Sequence, residues 1–248
     1  LGIAVIIWDG KSVVWPGKRP AERRLILPTL VFLLDVDNTL LANDDVKEDW
    51  DRHLKVQLGE RLTAHFWDLY EQARHETDVV NIPLALDRLR QETPLSEMDE
   101  ETYRHVHSLF DNYPFVQALY PHVLETLQHL RTLGLTVIVS DGDSCFQPEK
   151  ISESGLAEAV EGRVLIYKHK QEHLDEIKQR YPADHYVVID DKPQILVDIK
   201  HLWGKEVTTV LVQQGKYAKQ MPSNFTPDIT VPHIGDLRTF TAEQFLKA

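Results

Sequence analysis

The sequence predicts an α/β protein, a doubly wound parallel sheet interrupted after its first strand by a block of helices. Three observations predict it. Apolar, β-branched runs recur at residues 31–34, 135–139, 164–167, 186–189 and 207–212, and continuous runs of this kind suit strands buried on both faces. Helical patterns separate the later runs, as parallel strands require. Between Leu41 and Leu133 apolar residues recur instead at helical spacing, without a strand pattern.

The elements follow in chain order. Within residues 1–30, Ile3 to Trp8, Asp9-Gly10 and Ser12 to Trp15 predict a β-hairpin. Arg23-Arg24 ahead of Leu25-Ile26-Leu27 is expected to lead into the first strand rather than to form an export signal, because no small-residue cleavage site follows. The run Val31-Phe32-Leu33-Leu34 ends abruptly in Asp35-Val36-Asp37-Asn38-Thr39. In the helical block, Trp50, Leu54, Leu58, Leu62, Phe66 and Leu69 recur at spacings of three and four. Ser96, with Asp99 three residues on, is expected to cap a helix carrying Tyr103, Val106 and Phe110. Val123, Leu127 and Leu130 share one face of a helix that Gly134 stops. Pro193 suits the first turn of a helix carrying Leu196, Ile199 and Leu202. The expected organisation is an N-terminal extension (1–30), an α/β core (31–41 plus 134–248) and a helical domain (42–133).

The chain has 248 residues, one cysteine and a formal net charge of -12. That charge argues against nucleic acid or an anionic membrane surface as the main partner. It also requires any anion site to be positive only locally. A single cysteine excludes an internal disulfide and fits a reducing, cytoplasmic setting. The apolar stretches are too short to span a bilayer. The histidines show no metal-site spacing; His105 and His107, two apart on a helix, face different ways. Nothing in the sequence specifies an oligomeric state.

Four strand ends carry the chemistry. The first offers Asp35, Asp37 and Thr39. The second offers Ser140, Asp141, Gly142 and Asp143. The third leads to Lys168 and Lys170, and the fourth to Asp190 and Asp191. In a parallel sheet these ends converge on one edge, where ligands bind. Two carboxylates two residues apart at the end of a buried strand are costly unless a charge compensates them. Mg2+, commonly held by one or two carboxylates plus substrate phosphate, is the expected compensation.

The order Asp-x-Asp-x-Thr, Ser, Lys and a terminal acidic pair resembles the four motifs of the haloacid dehalogenase (HAD) superfamily, over residues 31 to about 231. The resemblance implies a Rossmann-like core with a helical C1-type cap. It implies a Mg2+-dependent phosphatase acting on a small phosphorylated metabolite through an aspartyl-phosphate. Asp35 would be the nucleophile and Asp37 the general acid and base. Ser140 and Lys170 would hold and neutralise phosphate, with Asn38, Thr39, Asp141 and Gly142 lining it. Asp35, Asp37 and the acidic pair, Asp191 ahead of Asp190, would hold the metal. Lys170 is preferred to Lys168 because it sits closer to the following helix. Family members that dehalogenate haloacids lack the second acid, so Asp37 points away from that reaction. A phosphomutase on the same scaffold and a non-catalytic HAD-like interaction protein are the alternatives. A signalling receiver domain fails on motif order and length.

Overall fold

The structure is a computed structural model that describes residues 29–143, 145–220 and 222–248. The hairpin expected near the N terminus lies outside the described residues. Among the described residues six strands form one parallel sheet: β1 (Leu30–Leu34), β2 (Leu135–Asp141), β3 (Val164–Tyr167), β4 (His185–Asp190), β5 (Val207–Val212) and β6 (Ile229–Val231). The order is β3-β2-β1-β4-β5-β6. The chain winds outward from β1 through β2 to β3, then returns to the far side of β1 and winds outward again. The reversal lies between β1 and β4, whose ladder pairs Leu30 with His185 and Leu34 with Ile189. Crevices form at such reversals, outside the carboxyl ends of the strands. The first five strands are those the sequence predicts. β6 is an addition, three residues long and too short for a periodic signal.

Alternation along the strands explains why both faces are covered. Leu30, Phe32 and Leu34 enter one apolar cluster with Ile138, Val187, Ile189 and Val210. Val31 and Leu33 enter the other with Val137, Val139, Val188 and Leu211. The second cluster is closed by α7 (Leu174–Arg180) and α8 (Pro193–Trp203), through Leu174, Ile177, Leu196 and Ile199. The first is closed by α4 (Val123–Leu133), through Val123, Leu127 and Leu130, and by Phe245 of α9 (Ala242–Leu246). Thus α4, which the expected boundary at 133/134 assigns to the helical domain, packs on β2 and the sheet. Its apolar stripe is spent on the core.

The helical block consists of α1 (Asn43–Thr77), α2 (Ile82–Glu92) and α3 (Glu100–Asp111). The cap of α3 is Asp99, which accepts a hydrogen bond from Thr102 N–H at 2.8 Å; Ser96, the expected cap, lies in the preceding turn. α1 is two helical arms. Gly59 interrupts them with φ 73° and ψ 168°, a conformation essentially restricted to glycine. The arms fold back on each other. Trp67 Nε1 donates to Asp51 Oδ1 at 2.9 Å, and the Lys47 ammonium sits 5.0 Å from the Tyr70 ring centroid. A straight helix at 1.5 Å per residue would hold Asp51 and Trp67 roughly 24 Å apart. The apolar residues of both arms, Trp50, Leu54, Leu62, Phe66 and Leu69, continue the first core cluster. Two short α5 (Phe146–Glu153) and α6 (Leu156–Ala159) segments complete the fold between β2 and β3.

Candidate active site

Asp35 follows β1, whose backbone continues the ladder through a hydrogen bond from Asp35 N–H to Ile189 O at 3.0 Å. Its carboxylate is therefore fixed at the central strand end. Asp190 ends β4, beside it. Lys170 lies in a 3-10 turn (Lys170–Glu172) beyond β3, and its Nζ reaches across β2. It donates to Asp35 Oδ1 at 2.6 Å and to Val139 O at 3.3 Å, and it contacts Asp190 Oδ2 at 2.6 Å. Asp35 and Lys170 are each 3% exposed, and Asp190 and Asp191 are 0% exposed.

This is a dense charge cluster with water excluded. Ligand oxygens of Asp35, Asp190 and Asp191 lie within 4.8 Å of one another. Burial pushes the Asp35 carboxyl up, but Lys170 and Lys192 outweigh it and hold the group below the usual carboxylate range. Asp190 is pushed up to about 6, by burial and by Asp35. Asp191 is pushed up to about 9, by burial and by the charges of Asp190 and Asp35. Burial works against the Lys170 charge, yet Asp190 and Asp35 raise its pKa well above the ordinary lysine value. Among the described residues, neither carboxylate oxygen of Asp191 has a hydrogen-bond partner. A buried carboxylate left unsatisfied beside two others is strongly disfavoured. A divalent cation would relieve it, so the residues fit an oxygen-ligated metal such as Mg2+.

The other sequence-predicted residues serve this centre in different ways. Thr39 Oγ1 donates to Asp35 Oδ2 at 3.3 Å. Asn38 has φ 63°, a left-handed conformation that Asn tolerates better than most side chains. Its Oδ1 accepts from Asp44 N–H at 3.0 Å, which ties the turn after β1 to the start of α1. Ser140 is buried, and its Oγ accepts from Gln147 Nε2 at 2.9 Å. Gly142 makes that approach feasible, because a Cβ there would lie 2.6 Å from Gln147 Cγ. Asp141, expected to line the phosphate, is engaged otherwise: its Oδ1 accepts from Lys170 N–H at 2.8 Å and anchors the lysine turn. Asp143 Oδ1 accepts from the N–H groups of Cys145 and Phe146, both at 2.7 Å, at the start of α5. Lys168 does not join the centre; its Nζ donates to Thr77 O at 3.0 Å.

Asp37 stands apart from the buried cluster and faces a cleft of about 340 Å³ between the sheet edge and α1. Lys150 of α5, itself 3% exposed, donates to Asp37 Oδ1 at 2.6 Å and to Asn43 Oδ1 at 3.4 Å. So the Asp37 carboxylate is committed to a lysine, and it is absent from the group of three acids that could hold a metal. Lys150, Gln147 and Lys192 are the residues that sequence reasoning missed. Gln147 and Lys150 are three apart on one helix face, but polar residues at that spacing are ordinary on helices. Lys192 directly follows the acidic pair, and its own pKa is raised, since Asp35 and Asp190 outweigh its burial.

The comparisons with known proteins agree with this geometry. The family model for haloacid dehalogenase-like hydrolases matches residues 29–194. A protein from Burkholderia xenovorans LB400, described as a haloacid dehalogenase-like hydrolase, shares 44% identity over 87% of this chain and 98% of its own, with a TM-score of 0.77. An L-2-haloacid dehalogenase from Xanthobacter autotrophicus shares 14% identity over 84% of this chain and 96% of its own, with a TM-score of 0.55. A Bacillus subtilis HAD hydrolase bound to magnesium shares 16% identity over 84% and 96%, with a TM-score of 0.53. Those two show likeness of fold alone. No curated protein sequence matches significantly. Among the described residues no helix is long and apolar enough to cross a membrane. With strand order, convergent strand ends and family match in agreement, the chain belongs to the haloacid dehalogenase-like hydrolases.

Proposed function

We propose that this hydrolase is a Mg2+-dependent phosphatase acting on a small phosphorylated metabolite. The observation that carries the reading is Asp37, a second acid two residues past the nucleophile position, facing the cleft and held by Lys150. The dehalogenase neighbours are too distant in sequence to argue for their reaction here. Their members, by the family pattern, lack this acid.

In this reading Asp35 attacks phosphorus and forms an aspartyl-phosphate, and its depressed pKa keeps it ionised. Asp37 gives its proton to the leaving alcohol oxygen as the ester bond breaks. It then takes a proton from the water that cleaves the acyl phosphate, which regenerates Asp35 and releases phosphate. Lys170 and the Ser140 hydroxyl face the charge spread over the phosphoryl oxygens. Asp35, Asp191, Asp190 and the main-chain carbonyl of Asp37 would hold Mg2+. When bound, it would neutralise phosphate charge and draw it toward Asp35. The α1–α3 layer acts as a cap, excluding water and selecting the leaving group.

The test is hydrolysis of p-nitrophenyl phosphate with Mg2+ and with EDTA, by wild type and Asp35→Asn. Mg2+-dependent turnover lost in the variant supports the reading. Turnover that survives in Asp35→Asn, or that EDTA leaves untouched, overturns it.

A further inference from the structure

In a strongly acidic chain, the cleft is lined by six cations, Lys47, Arg74, Lys150, Lys168, Lys192 and Lys216, against five carboxylates, Asp37, Asp44, Asp78, Asp141 and Asp143. Several are already committed: Lys150 to Asp37, Lys168 to a carbonyl, Lys216 to Asp44 at 3.5 Å. Lys47 is not. It is half-buried, and among the described residues its one specific contact is the Tyr70 ring. Tyr70 is 1% exposed, and among the described residues its buried hydroxyl has no hydrogen-bond partner. Arg74 lies one turn beyond Tyr70 on the same face of α1, paired through Nε with Glu71 at 3.2 Å. The Lys47 ammonium therefore sits over the Tyr70 ring across the α1 hairpin, with Arg74 one turn further along the same face.

We propose that Lys47, Tyr70 and Arg74 form a second anion subsite, so that the substrate is a small phosphate ester whose leaving group carries its own carboxylate or phosphate. This rests on the phosphatase reading, because it places the leaving group against Asp37. The Asp37 charge reaches both Lys47 and the Tyr70 hydroxyl, and all three residues line the same cleft. Burial, and then the charge of Lys216, depress the Lys47 pKa, while Asp37 and Glu71 act in the opposite direction. The tail is short. Beyond Lys47 and Tyr70 the cleft continues into a groove where Glu48, Asp51 and Glu71 offset Arg52 and Lys216, which leaves no net attraction for an anion placed further out. Gly59 is what makes the subsite, since only the reversal of α1 brings residue 47 to residue 70.

The experiment compares three esters with Mg2+: phenyl phosphate, 4-carboxyphenyl phosphate and 1,4-phenylene bisphosphate. They share a leaving-group ring and differ in the tail. The wild type is expected to favour at least one anionic tail over phenyl phosphate by about tenfold or more in kcat/KM, the scale of one charged hydrogen bond. That ratio should fall toward one in Lys47→Met and in Arg74→Gln, recover in part in Lys47→Arg, and shrink with added KCl. Which tail gives the larger ratio distinguishes carboxylate from phosphate. A wild-type ratio near one for both tails, or a ratio unchanged in both variants, overturns the subsite. If no ester is turned over, the phosphatase reading has failed, and calorimetry with the same compounds then decides the subsite alone. Tighter binding of an anionic-tail ester than of phenyl phosphate, lost in Lys47→Met, supports it; equal binding overturns it.

Discussion

Lys150 Nζ lies 2.6 Å from Asp37 Oδ1, joining the end of β1 to the face of α5 over 113 residues of chain. The lysine is buried and the aspartate faces the cleft. On the phosphatase reading, such a contact would aim the carboxylate at the leaving group, and general acid-base help depends on that aim.

Lys150→Met keeps the buried stem and removes the charge. Turnover is expected to fall about tenfold or more, a part of the range that general acid-base catalysis supplies. KM should change less than kcat, and Lys150→Arg should recover part of the loss. Steady-state kinetics on one aryl phosphate checks this; a purely structural lysine would instead lower the melting temperature and leave kcat alone.

Asp191 is expected to make stability depend on pH and on metal. Its folded pKa, about 9, lies above the ordinary carboxylate value of 3.8. Where an acid's folded pKa is raised, the unfolded chain binds fewer protons than the folded one between the two values, so stability falls as pH rises. In EDTA the protein is therefore expected to lose stability steadily from about pH 4 to about pH 9. Asp191→Asn should flatten that loss and melt higher than wild type at pH 8 in EDTA. Mg2+ should raise the wild-type melting temperature and leave the variant's nearly unmoved. Thermal melts across pH, with and without Mg2+, read all three outcomes. If Asp190→Asn alone abolishes the Mg2+ response, the principal ligand is Asp190.

Asp141 Oδ1 accepts the Lys170 N–H. Asp141→Asn keeps an oxygen acceptor at that place and is expected to retain activity within a few-fold. Asp141→Ala leaves a part-buried N–H unsatisfied, which costs about 1–3 kcal/mol, and frees the turn that carries Lys170. Its kcat should fall clearly below that of Asp141→Asn. Equal activity in the two variants would mean that the anchor is dispensable.

Gly59 turns α1 back on itself with φ 73° and ψ 168°. No described residue lies within 4 Å of a Cβ built there, so the cost of a side chain is conformational. Gly59→Ala is expected to destabilise by about 1–3 kcal/mol, and Gly59→Asn to do no better, because this backbone region is essentially glycine's own. Urea denaturation measures both. An Asn variant as stable as wild type would show that an ordinary left-handed turn suffices.

The sheet and its charged strand ends were legible because they are local. An apolar run followed at once by Asp35-x-Asp37-x-Thr39, or by Asp190-Asp191, carries its strand and its chemistry in neighbouring positions. Parallel pairing then leaves little choice about where those ends meet. Gly59 was not legible, since the three-and-four spacing runs through it on both sides and a glycine in a helical pattern is tolerated. Ser96 and Asp99 both have capping side chains, and only the backbone's course decided for Asp99. The packing of α4 depended on which neighbour its apolar stripe met.

By itself, then, the sequence determined the strand order's raw material: five buried strands, a helical insertion, and carboxylates, a hydroxyl and a lysine at strand ends. Tertiary structure alone decided which groups pair. It joined Lys170 to Asp35 and Asp190, left both oxygens of Asp191 unsatisfied, gave Asp141 to the Lys170 backbone, and brought Lys150 to Asp37 and Lys47 to Tyr70. The physical reason is range. Strand patterning and motif spacing act over a few residues, whereas charge pairing and desolvation depend on distances in space that only the packed chain sets.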